Sequence, residues 1–200
     1  MPKHILIAED DRIILLTLSE GLSSAGYRVT AAPNGEIAWQ SVQNEMPDLI
    51  LLDISMPIMN GLTLARKVRE ISDVPILFLT AYPDEEQVES AVSMGSYGYL
   101  VKPLEVHQII PSVEVALAKC NEIRMLRTTE SQLQTAMQSF RDISVAIGIL
   151  KERHGMTEDE AFDAMRRYAR SQRRKMYSIA SEIVGGSLSL HQFHHKMTIT

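Results

Sequence analysis

Residues 49–53, LILLD, set a carboxylate directly after four consecutive apolar side chains. Few folds tolerate that order. Turn signals follow at Pro57 and Gly61, and a short apolar run between turns reads as a strand buried on both faces. An unpaired charge inside such a strand would cost at least several kcal/mol, roughly, so Asp53 is expected at the strand's carboxyl end. In open α/β sheets, ligands bind outside that end.

The same alternation recurs along the chain. HILIA at 4–8 precedes Glu9, Asp10 and Asp11, and IILLTLSEGLSSAG then has helical periodicity closed by Gly26. YRVTAA with NGEIAWQSVQNEMP, DLILLD with GLTLARKVREISD, VPILFLT with PDEEQVESAVSMG, and YGYLV with the helix after Pro103 repeat strand and helix. Five β–α units predict an α/β fold, a five-stranded parallel sheet with helices on both faces, because parallel strands need crossover connections. Right-handed crossovers bring all the strand carboxyl ends to one edge.

That edge is expected to gather Glu9 and Asp10 from the first strand, Asp53 from the third, Thr80 from the fourth and Lys102 from the fifth. Three converging carboxylates repel one another unless a cation sits among them, and hard oxygen donors suit Mg²⁺. The Lys102 ammonium and the Thr80 hydroxyl suit a doubly charged phosphoryl group.

On these residues, and on Met56-Pro57, Thr80-Ala81 and Tyr99 three positions before Lys102-Pro103, residues 3 to about 120 resemble a response-regulator receiver domain. The resemblance implies a doubly wound, flavodoxin-like fold in which Asp53 accepts a phosphoryl group from a sensor histidine kinase, assisted by Thr80 and Lys102. It further implies Mg²⁺ held by Glu9 or Asp10, Asp53 and the backbone carbonyl of Ser55, a cis Lys102–Pro103 bond, and Thr80 with Tyr99 as a switch pair. Glu9 stands where the family more commonly has Asp. Without the resemblance, Tyr99 reads as an ordinary strand aromatic packed in the core.

Composition separates the two halves. Residues 1–120 carry 8 Lys+Arg against 16 Asp+Glu, net −8, whereas 121–200 carry 12 against 9, net +3. The first half suits a metal or phosphoryl site, and the second admits a polyanion partner. A single cysteine, Cys120, excludes a disulfide within the chain. No apolar run approaches the roughly 18 residues that span a bilayer, and the N-terminus turns acidic too early for a signal peptide. A cytoplasmic protein with no membrane partner is expected.

After Pro103, Ile109, Val113, Ala116, Cys120 and Ile123 follow four-three-four-three spacing, and Leu133, Met137 and Phe140 form a second seam about one residue out of phase. The shift, near Thr128-Thr129, marks either a stutter in one long helix or a helix restart with Thr129 and Gln132 as capping box. Beyond Cys120 the apolar face needs a partner, either a second chain or the C-terminal segment. From Phe140, Gly155, a capping box at Thr157 and Glu160, and Gly185-Gly186 divide a small all-α, three-helix segment. In its middle helix Ala161, Met165, Tyr168 and Ala169 make an apolar stripe. Arg166, Arg170 and Arg173 recur at i, i+4, i+7. With Arg167, Arg174 and Lys175, and with rim tyrosines Tyr168 and Tyr177, they form a basic ridge of the kind that engages phosphates and stacks unpaired bases.

Residues 141–184 resemble the ANTAR domain, an RNA-binding output module, on Arg141, Ala146, Gly148, Leu150, Ala161-Phe162, Arg166, Ala169, Arg170, Lys175 and Ala180. Ile147 departs, since the family commonly carries a lysine there. Ala146 and Gly148 read as close-approach positions for another helix or a nucleotide. The expected organisation is a receiver at 1–120, a helical linker or coiled coil at 121–140, an ANTAR-like domain at 141–186 and a tail at 187–200. The expected RNA contacts are Arg141, Arg166, Arg170, Arg173, Arg174 and Lys175. The expected function is phosphorylation-controlled binding of RNA hairpins in leader transcripts, hence transcription antitermination, with homodimerisation on phosphorylation. A protein-docking or DNA-binding output is the alternative. The tail histidines His191, His194 and His195 read as solvated, and no ordinary enzyme active site is visible.

Overall fold

The computed structural model describes residues 2–81 and 96–186. The helix expected in PDEEQVESAVSMG and the histidine-bearing tail lie outside them. The chain divides into two compact units, Met1–Arg124 and Met125–Thr200.

The first unit alternates β1 (His4–Ala8), α1 (Arg12–Ser24), β2 (Arg28–Ala32), α2 (Gly35–Asn44), β3 (Leu49–Asp53), α3 (Gly61–Ile71), β4 (Ile76–Thr80) and β5 (Gly98–Val101), and ends within helix α4 (Val106–His154). The five strands form one parallel sheet in the order β2-β1-β3-β4-β5. Successive side chains of a strand point to opposite faces, and both faces are covered. Leu6, Ile50 and Phe78 pack against Ala38 and Val42 of α2 and Leu64, Ala65 and Val68 of α3. Their neighbours Ile5, Leu51 and Leu79 pack against Leu18 and Leu22 of α1 and Ile109, Val113 and Ala116 of α4. Apolar runs such as LILL are therefore required on both faces, and the sequence has no polar alternation to mislead.

Three helices begin at the same edge of this sheet. Asp11, Asn34 and Asn60 each accept from backbone N–H groups of the first turn of α1, α2 and α3, the usual way orphan helix donors are satisfied. These short capped connections hold the strand ends in place.

Helix α4 runs 49 residues without a break. The restart at Thr129 does not occur, and the phase shift lies inside continuous helix. Its coat changes along its length: Ile109, Val113, Ala116 and Cys120 are buried, Leu126, Leu133, Met137 and Phe140 are exposed, Phe140 by 74%, and Ala146 and Leu150 are buried again. The last two pack on α5 (Glu158–Ser171) and α6 (Met176–Val184) through Ala161, Ala164, Met165, Ala169, Ile179, Ala180 and Ile183. Gly155, at φ 65°, ends α4, and the capping box of Thr157 and Glu160 starts α5 with both hydrogen bonds made. The core of this second unit is alanine-rich, so it holds together through close helix approach more than through large side chains.

Candidate functional site

Glu9, Asp53, Thr80 and Lys102 come from four different strands to the sheet's carboxyl edge. Asp53 is the last residue of β3 and is 4% exposed, and Glu9, one residue past β1, is 0% exposed. Ligand oxygens of Glu9, Asp10 and Asp53 lie within 4.8 Å of one another. The Lys102 Nζ stands 2.8 Å from Glu9 Oε1, 2.7 Å from its Oε2 and 3.0 Å from Asp53 Oδ1. The ammonium is the cation that the gathered carboxylates demand.

Backbone pairing holds these groups past the strand ends. The Glu9 N–H donates to Ala32 O (3.1 Å), Ile54 N–H to Leu79 O (3.2 Å) and Lys102 N–H to Thr80 O (2.8 Å). The Lys102–Pro103 bond is cis. Burial pushes the Glu9 carboxyl above its ordinary pKa, against the opposing hydrogen bond from Lys102. Burial works to lower the Lys102 pKa, but hydrogen bonds from its ammonium to Glu9 and Asp53 outweigh it and hold Lys102 above its usual range. The two carboxylates thus keep the Lys102 ammonium charged in a largely dry pocket. A nucleophilic carboxylate oxygen beside a fixed cation is suited to accepting an anionic group that would otherwise be repelled.

The charges of the second unit are arranged differently. Arg141 on α4, Arg166 and Arg170 on α5, and Arg173, Arg174 and Lys175 in the α5–α6 connection are all exposed. Two are partly committed: Arg166 Nη2 is 2.8 Å from Asp163 Oδ1, and the Arg174 guanidinium bonds Glu182 and Ser178.

Comparison with known proteins assigns both units. The model of the response regulator receiver domain matches residues 5–114, and that of the ANTAR domain matches 131–184. The transcriptional regulatory protein PdtaR of Mycobacterium tuberculosis is 32% identical over 185 residues, 92% of this chain and 90% of that protein. The chain is a two-component response regulator. Its receiver resembles solved structures of a putative response regulator from Chloroflexus aurantiacus (34% identity, TM-score 0.55, 59% of this chain and 99% of that one). It also resembles the chemotaxis protein CheY4 of Vibrio cholerae (29%, TM-score 0.56, 58% and 99%).

The response regulator departs from the sequence reading at several positions. Tyr168, expected at the rim, is 8% exposed and packs in the core. Helical spacing puts it on the face of Ala161 and Met165, and that outweighs its polar tip. Tyr177 does lie at the rim, with Lys175 Nζ 5.9 Å from its ring centre. Tyr99, the aromatic that strand position alone would bury, is exposed, because β5 is the sheet's edge strand. Ile147 packs against the second unit's own core, so its missing lysine is replaced by an apolar contact. Ala146 is a close-approach position, but nothing lies within 4 Å of where a Gly148 Cβ would stand. Ser55 is exposed in the loop after Asp53.

Three features of that loop escape sequence reasoning. A Cβ on Gly61 would stand 2.2 Å from the Asp53 carbonyl oxygen, and one on Gly35 2.3 Å from that of Met59, so both helix starts press directly on loop backbone. Between them the Met59 N–H donates to Pro57 O at 2.8 Å across Ile58, whose φ is 70°. An i to i+2 bond over a positive φ is a strained γ-turn, and with a β-branched residue it costs about 1–3 kcal/mol. Gly61 following Asn60 is readable as a helix start, but Ile58 carries no local signal of its conformation.

Proposed function

We propose that Asp53 is the phosphoacceptor of this response regulator and that a sensor histidine kinase in the cytoplasm supplies the phosphoryl group. An Asp53 carboxylate oxygen attacks phosphorus, forming an O–P bond as the P–N bond of a kinase phosphohistidine breaks. The observation carrying this reading is the Lys102 ammonium held simultaneously by Glu9 and Asp53 at 2.7–3.0 Å. It neutralises the acceptor before transfer and is placed to follow the new phosphoryl oxygens afterwards. The oxygens of Glu9, Asp10 and Asp53 also fit a hard divalent cation. Mg²⁺ would be held by Glu9 or Asp10, Asp53 and the Ser55 carbonyl, and when bound it supplies the positive charge that offsets the phosphoryl group.

The new dianion withdraws Lys102 from Glu9 and engages the Thr80 hydroxyl, at the end of β4. Tyr99 on neighbouring β5 can then turn inward, and the receiver's population shifts toward a second arrangement. The output is dimerisation along the exposed seam of α4. Leu126, Leu133 and Phe140 recur every seven residues, with Met137 between, which is coiled-coil spacing. Two ANTAR domains brought together present their basic ridges, Arg141, Arg166, Arg170, Arg173, Arg174 and Lys175, to paired RNA hairpins in leader transcripts and so control antitermination. Hairpin loops suit such ridges because splayed bases are readable where duplex RNA major grooves are not.

An electrophoretic comparison tests the output. Structured RNA and duplex DNA of equal length are titrated with protein before and after treatment with acetyl phosphate. Preferential, salt-sensitive retardation of RNA that strengthens on treatment is expected. Equal retardation of DNA would favour a DNA-binding output. Retardation of neither would favour protein docking.

A further inference from the structure

The α5–α6 corner carries two features that the basic ridge alone does not explain. The first is Arg173. Its N–H donates to Arg170 O (3.1 Å) while that of Arg174 donates to Ala169 O (2.9 Å), the paired bonds of a Schellman helix end, and Arg173 occupies the left-handed position at φ 52°. Glycine is the usual residue there, because any Cβ is strained. Strained backbone of this kind is held by the structure around it and clusters at functional sites. Among the described residues the Arg173 guanidinium makes no hydrogen bond or ion pair, so it is not held for the fold.

The second is a cleft of about 670 Å³ between α4 and α6, lined by Gln134, Thr135, Gln138, Ser139 and Asp142 on one side and Tyr177, Ser178, Ser181 and Glu182 on the other. Its lining side chains end in polar groups, and its two carboxylates are both paired. Asp142 accepts from the Gln138 amide at 2.7 Å, and Glu182 is taken by Arg174. The Thr135 and Ser139 hydroxyls donate to their own helix at 2.8 and 2.7 Å, leaving oxygen lone pairs as acceptors. Amides, hydroxyl acceptors and a half-exposed phenol ring with a cation near its face match the chemistry of a nucleobase: a π-face to stack and an edge of donors and acceptors to read. A phosphate alone could take the amide N–H donors but would leave the amide and hydroxyl acceptors and the ring face unused, and an apolar partner helix would leave the amides unpaired.

We propose that this corner reads an unpaired RNA base. Tyr177 stacks the base, Gln134 and Gln138 meet its edge within the cleft, and Arg173 takes an adjoining phosphate. This rests on the RNA-binding reading above and names where sequence discrimination resides.

The test uses the full chain, treated with acetyl phosphate, and a synthetic pool of RNA hairpins with randomised loops. Wild type, Tyr177→Ala, Gln138→Ala, Arg173→Gly and Arg170→Ala are compared, and bound loops are sequenced. Base stacking and reading of this kind are worth about tenfold or more in affinity. Tyr177→Ala should lose that much, and Gln138→Ala should flatten the loop-sequence preference. Arg173→Gly should weaken binding several-fold while melting no lower than wild type, an outcome that a structural role for Arg173 does not produce. If Arg170→Ala weakens binding but the Tyr177, Gln138 and Arg173 variants match wild type, the corner is not the reading site and RNA binding through the ridge survives. If the pool fails to bind wild type, the RNA reading itself falls and takes this inference with it.

Discussion

The receiver and the helical unit handle charge in opposite ways. In the receiver, Glu9, Asp53 and Lys102 are gathered from separate strands to a dry point where the Lys102 ammonium is the counterion of both carboxylates. In the helical unit, arginines and a lysine are spread over exposed turns of α5 and the α5–α6 connection, and among the described residues Arg166 pairs within its helix and Arg174 with Glu182 of α6. Buried charge must be placed to a few tenths of an ångström, because its desolvation is repaid only by good geometry. Exposed charge costs almost nothing wherever it stands. The receiver's charge cluster is therefore built into its backbone, whereas the helical unit's charges stand open to solvent.

Substitutions in the receiver should accordingly have the larger effects. Asp53→Asn should reduce labelling by acetyl phosphate to background, read as phosphoprotein by mass spectrometry. Retained labelling would place the acceptor elsewhere and dissolve the contrast. Gly61→Ala, which forces a methyl group against the Asp53 carbonyl, should destabilise the receiver by about 3 kcal/mol in urea titration. A change below about 0.5 kcal/mol would mean that the loop yields and is not a rigid support.

On the helical side, Leu133→Ala with Phe140→Ala should leave the melting temperature of the unphosphorylated protein nearly unchanged, since both are exposed. Their effect should appear as a loss of about tenfold or more in self-association after acetyl phosphate treatment, measured by sedimentation. Undiminished association would move the interface off this seam. The smallest effect is expected at Ile58: replacement by glycine should relieve the γ-turn and stabilise the receiver by up to about 1 kcal/mol. A loss of stability there would show that the exposed isoleucine is held by contacts that outweigh its backbone strain.

How far each unit could be read in advance follows from the same contrast. LILLD, HILIA and ILFLT each announce a buried strand because both sheet faces are covered, and their last residues or immediate neighbours announce the edge. The continuity of α4 was not legible, since Thr128-Thr129 supports a restart as well as a stutter, and only the intact hydrogen-bond ladder decides between them. Tyr168 misled because its ring suits either rim or core, and the packing of three helices chose the core. Arg174 looked like its neighbours in sequence, and only the fold brought Glu182 to it.

By itself, the sequence determined the order of the described strands and helices, the edge to which the carboxylates and the ammonium are delivered, and the helix boundaries at Gly26, Gly155 and the Thr157–Glu160 capping box, because apolar period and capping chemistry are local properties. It ran α5 on to Arg173, where the chain has already left the helix at Ser171. The tertiary structure alone decided which contacts are too close for any side chain but glycine's, as at Gly61 on the Asp53 carbonyl. It also decided which residues bear strain, as Ile58 and Arg173 do. Those outcomes depend on distances between segments remote in the chain, or on backbone angles that a whole unit imposes, and no window of residues encodes them.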